Sequence, residues 1–68
     1  MNEDVFNMSL RKFLKQVGVT SQREVEHAVQ KALEEGEITG SERLRATMTL
    51  TIEQLGLTHI VQDDIDLE

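Results

Sequence analysis

Val17-Gly18-Val19-Thr20-Ser21-Gln22-Arg23-Glu24 decides how the first half of the chain is divided. Upstream of it, Phe6, Leu10, Phe13, Leu14 and Val17 recur at the spacing of one α-helical stripe. Downstream, Val25, Ala28, Val29, Ala32 and Leu33 form a second such stripe. Gly18 suits the left-handed position that closes a helix. Ser21 and Glu24 have the S-x-x-E spacing of a capping box, in which each side chain satisfies the other residue's amide. The local signals therefore predict a helix over about 4–17 and a second over about 21–35. Asn2 caps the first, with Glu3 and Asp4 at its positive end. Gly36 ends the second.

After Gly40 the hydrophobic period falls from 3.6 to 2. Leu44, Ala46, Met48, Leu50 and Ile52 alternate with Arg45, Thr47, Thr49, Thr51 and Glu53, which predicts a strand over about 43–53. A second strand is expected over about 58–67, with Val61, Ile65 and Leu67 on one face. A turn centred on Leu55-Gly56, or a loop from Gln54 to Leu57, places Leu50 opposite Val61, Ala46 opposite Ile65 and Leu44 opposite Leu67. Arg45 then faces Asp66, and Arg43 faces Glu68. Asp63 falls on the apolar face, opposite Met48. The expected fold is α+β: a single domain over 1–68 in which a two-helix hairpin packs on an antiparallel two-stranded β-hairpin. Its α-α-β-β order is helix-turn-helix or winged-helix-like.

Composition narrows the function. In 68 residues, 38% apolar, there is material for one small core. No apolar run approaches the roughly 20 residues of a membrane span, and no signal-peptide segment is recognisable at the start. With no cysteine, a cytoplasmic location is expected. Thirteen acidic against seven basic residues leave a net charge of -6, which repels phosphate backbones and acidic membranes.

Chemistry finds few anchors. Two histidines stand 32 residues apart, with no Cys or Tyr, and no serine has a nucleophile-elbow context. No catalytic, cofactor-binding or metal-binding residue is assigned, and no cofactor is expected. Glu24 with His27 offers two metal ligands at most, and Asp63-Asp64-Ile65-Asp66 lacks the glycine and spaced glutamate of a calcium loop. The candidate partner-binding residues are Arg11, Lys12, Lys15 and Arg23.

Two functions compete. A winged-helix-like nucleic-acid binder would use the basic patch of the first helix, Arg11, Lys12 and Lys15, but the second helix, which a helix-turn-helix would send into the groove, carries Arg23 and Lys31 against Glu24, Glu26, Glu34 and Glu35. The preferred expectation is a non-enzymatic protein-interaction module, binding an unknown protein partner or itself. Nucleic acid and membrane are disfavoured. A homodimer would form by pairing the exposed strand edge from Leu44 to Ile52 with its symmetry mate.

Asn7-Met8-Ser9-Leu10-Arg11-Lys12-Phe13-Leu14-Lys15, with Val17 to Glu24, Met48-Thr49-Leu50 and Leu55-Gly56-Leu57, resembles a family of small bacterial proteins of about this length. That family is of unknown function. The resemblance implies a bacterial, soluble, stand-alone domain and supplies no activity. Ser9, Arg11, Lys12 and Arg23 are the polar positions within its signature stretch.

Overall fold

The computed structural model describes all residues, 1–68, and the chain forms two compact units, Met1–Glu35 and Gly36–Glu68. The first is a single helix, α1, running without interruption over Glu3–Glu34. The expected two-helix hairpin is absent, and with it the helix-turn-helix and the winged-helix-like arrangement. The fold remains α+β, as one helix followed by one β-hairpin.

The reason lies in the phase of the apolar positions. Residues 6, 10, 13, 17, 21, 25, 28 and 32 step by 4, 3, 4, 4, 4, 3 and 4. These eight positions cross Gly18 within an arc of about 120° on a straight helix and so share one face, while Val29 and Leu33 of the downstream stripe lie at or beyond its edge. Ending the helix at Gly18 would gain no new alignment, and a glycine inside a helix costs only about 1 kcal/mol relative to alanine. Gly18 accordingly lacks the positive φ of a helix terminator, which Gly36, Gly40 and Gly56 do adopt.

The capping box is also overridden. Thr20 Oγ1 donates back to the Gln16 carbonyl at 2.7 Å, a bond internal to a helix. Ser21 is itself a member of the stripe, half-buried and mid-helix, and it caps nothing.

Both outer ends follow the sequence. Asn2 Oδ1 accepts from the Val5 amide at 3.1 Å, which satisfies one of the free amides of the first turn. Glu3 and Asp4 lie in that turn. At the other end Glu35 is the C-cap, and Gly36 takes φ 72 just beyond it.

The second unit is the hairpin. β1 spans Arg43–Ile52, a 3-10 turn spans Glu53–Leu55, and β2 spans Leu57–Asp66. The strands pair antiparallel from Arg43↔Asp66 to Ile52↔Leu57. This register differs by two residues from the expected one: Leu44 faces Ile65, Met48 faces Val61 and Leu50 faces His59. The turn is the cause. Gly56, at φ 59, closes the loop as its last residue, so Leu57 belongs to the strand and the loop centre moves back by one.

A shift of two preserves every face, because side chains alternate with a period of 2. Leu44, Ala46, Met48, Leu50 and Ile52 still share a face with Val61 and Ile65. Asp63 is on that face opposite Ala46 rather than Met48. It is exposed, sits in an unbroken ladder, and accepts the Asp64 amide at 2.8 Å.

The segment of the second unit that leads into β1 is organised by one carboxylate. Glu42 accepts from the Thr39 amide at 2.8 and 3.1 Å, from the Gly40 amide at 2.9 Å and from Thr39 Oγ1 at 3.3 Å. The Thr39 amide, followed by Gly40, holds its pKa below the ordinary 4.5, although partial desolvation opposes them. A lowered carboxylate pKa stabilises the turn above the ordinary value, and that contribution is lost as pH falls through the lower, folded value. The amide protons of Thr39 and Gly40 should therefore titrate together, with a midpoint below 4.5. Acid titration followed by NMR checks this, and a midpoint at or above 4.5 would remove the carboxylate from these bonds.

Candidate interaction surfaces

Neither unit has an interior. No side chain in the chain is fully buried. On α1, Phe6, Phe13 and Leu14 are 49%, 46% and 48% exposed, and on the hairpin the facing pair Met48 and Val61 is 45% and 52% exposed. A lone exposed hydrophobe is ordinary, but a continuous stripe of them is the mark of a surface built to be covered.

The helix carries its large residues early and its small ones late. Phe6, Leu10, Phe13 and Val17 occupy the first half of the stripe, and Ser21, Val25, Ala28 and Ala32 the second. Ser21 is its one polar member. The hairpin presents Leu44, Met48, Leu50, Ile52, Leu57, Val61 and Ile65 on one face, interrupted by His59 and Asp63.

Arg11, Lys12, Lys15 and Arg23 all lie on α1, roughly 100° or more around the axis from the midline of the apolar stripe. Lys12 and Lys15, with Gln16, Val19 and Thr20, line an open depression on the helix surface. Arg23 stands about 18 Å along the axis from Arg11, so the four residues form a line rather than a cluster. None of them makes an ion pair within the chain. The ion pairs are on the polar face of the hairpin, where Arg43 Nε meets Asp66 Oδ1 at 2.8 Å and Arg45 Nη1 meets Asp64 Oδ1 at 3.4 Å. Both are solvent-exposed and contribute little to stability.

His27 follows Glu24 by one helical turn, and no third His, Cys, Asp or Glu side chain converges with them. No helix is long and apolar enough to cross a membrane.

The whole chain, residues 1–68, matches a family of unknown function, DUF6494. The chain belongs to this family. The resemblance drawn from Asn7 to Glu24 and from the hairpin thus extends over the full length, and membership assigns no function. No curated protein and no solved structure matches the chain.

Sequence reasoning missed the unity of the helical stripe. Its signal was present in the steps of 4 and 3 that continue through residue 21, but the serine at that position looked like a cap.

Proposed function

We propose that this chain is a non-enzymatic protein-interaction module, acting in the cytoplasm of a bacterial cell. One observation carries the reading: no side chain is buried, while apolar residues of each unit stand about half-exposed on one of its faces. An apolar face of this kind, on a unit that has no interior of its own, suits a surface that another polypeptide covers. Arg11, Lys12, Lys15 and Arg23, free of partners within the chain, are available to contact acidic groups at the margin of such an interface. The absence of cysteine suits a reducing compartment. The helix-turn-helix of the rival nucleic-acid reading is absent, since the residues meant to form its turn lie inside α1, and a net charge of -6 weighs against phosphate contacts.

Site-specific photo-crosslinking in the native cells tests the module. A photoreactive residue in place of Phe6 or Leu14 should give adducts with a protein chain, whereas one in place of Glu26, on the opposite side of α1, should not. Absence of any protein adduct from the stripe positions overturns the reading.

A further inference from the structure

We infer that the outer edge of β1 pairs antiparallel with the same edge of a second copy, about a two-fold axis level with Met48, to make a four-stranded sheet. The surface belongs to the second unit alone. It goes beyond the interaction-module reading and does not draw on the apolar face of α1.

The hydrogen bonds say which groups are free. In an antiparallel ladder, hydrogen-bonded and non-hydrogen-bonded pairs alternate. Leu67 donates its amide to the Glu42 carbonyl at 3.2 Å, one step beyond the pair Arg43↔Asp66. The even-numbered residues of β1 therefore bond to β2. The amides and carbonyls of Arg43, Arg45, Thr47, Thr49 and Thr51 point to the outer edge, where the two-stranded sheet offers no further strand.

The two edges are not equally protected. Strand addition is ordinarily blocked by a charge on the inward face, a proline or a bulge. β2 carries His59 and Asp63 on its apolar face. β1 has only Leu44, Ala46, Met48, Leu50 and Ile52 on that face, no proline, and ten residues paired without a bulge. Its two arginines lie on the opposite face, already held by Asp66 and Asp64.

The occupant follows from self-complementarity. With Met48 on the axis, Leu44 meets Ile52, Ala46 meets Leu50 and Met48 meets its own copy, all on the apolar face. On the other face Thr47 meets Thr49, Arg45 meets Thr51, and Arg43 comes level with Glu53, just past the strand end. Arg43 engages Asp66 through Nε alone, which leaves its Nη groups for this second carboxylate. Moving the axis to Thr47 puts Thr51 there instead, and parallel in-register pairing sets each arginine beside its own copy, which is unfavourable. Met48 is also the most exposed apolar-face residue of β1, at 45%, and the axis sets it against its mate. Four pairs, from Arg45↔Thr51 to Thr51↔Arg45, would exchange about eight backbone hydrogen bonds. Such a two-fold contact closes on itself, so association stops at two.

The test uses the full chain, which has no native cysteine to interfere. Light scattering on the purified protein should give twice 7.7 kDa. Thr49→Pro removes an outward amide that the hairpin does not use, and should return the mass to 7.7 kDa while NMR still shows the β1–β2 contacts. Under mild oxidation Met48→Cys should form a covalent dimer. Its non-hydrogen-bonded pair holds the two α-carbons about 4.5 Å apart, within reach of a disulfide. Val61→Cys, opposite Met48 on the same face but in β2, should not, because three strand spacings of about 14 Å in all separate its copies. A disulfide forming as readily from Val61→Cys overturns the edge in favour of contact between faces. A doubled mass that survives Thr49→Pro with the hairpin intact overturns it too, and if that variant unfolds, the two cysteine variants still decide. A mass of 7.7 kDa at high concentration, with no disulfide from Met48→Cys, overturns the second copy and leaves the edge to a strand of another protein. None of these results depends on crosslinks from Phe6 or Leu14, so this inference and the interaction module fail separately.

Discussion

Gln22→Pro should destabilise the helix by roughly 3 kcal/mol or more, and circular dichroism at 222 nm with a thermal melt would register the loss. In the α-helix Glu3–Glu34 the amide of residue 22 bonds to the carbonyl of residue 18. Proline removes that donor, and its ring collides with the carbonyl it would have reached. The effect separates two structures that the local sequence describes equally well. Were Ser21 an N-cap, residue 22 would be the first helical position, where proline is favoured and its missing amide is not needed. A variant as helical and as stable as the wild type would mean that the helix is divided after all.

Gly18→Ala should do the opposite, raising stability by about 0.4–1 kcal/mol. A β-carbon built at Gly18 meets nothing within 4 Å, and its backbone is helical. Alanine restricts the unfolded chain and fits the folded one. At Gly36 space is equally open, but φ is 72, a conformation that alanine adopts at a cost of about 1–2 kcal/mol. Gly36→Ala should therefore lower the denaturation midpoint while Gly18→Ala raises it. The contrast in sign is the measurement, since it asks which glycine ends the helix. Loss of stability at both positions would restore a break at Gly18.

Much of the second unit was legible before any coordinates. Alternation over Leu44–Ile52 assigns each side chain to a face, and opposite charges confirm which strands are neighbours. Those charges do not choose the register. Asp64, Asp66 and Glu68 are all acidic at intervals of two, so Arg43 and Arg45 find a carboxylate in either alignment. What selects the observed alignment is the turn. Gly56 takes its left-handed conformation at the end of the loop, not at its centre, and one residue of loop position becomes two residues of register.

The candidate surface was only half legible, for a different reason. Phe6, Leu10, Phe13 and Val17 announce an apolar face on their own, as do Val25, Ala28 and Ala32. Whether these are two short faces or one long one depends on Gly18 and Ser21, whose preferences amount to about 1 kcal/mol each.

By itself the sequence determined the features set by a residue's immediate neighbours: the cap at Asn2, the stop at Gly36, the faces of both strands and the acidic balance that disfavours phosphate. Only the tertiary structure decided the continuity of α1 and the pairing of β1 with β2. Each is a choice between alternatives that are locally near-degenerate. A glycine and a serine are tolerated inside a helix when the stripe on either side stays in phase, and a strand slipped by two shows the same faces. Small local energies cannot resolve such choices, and the geometry that a whole element must satisfy does.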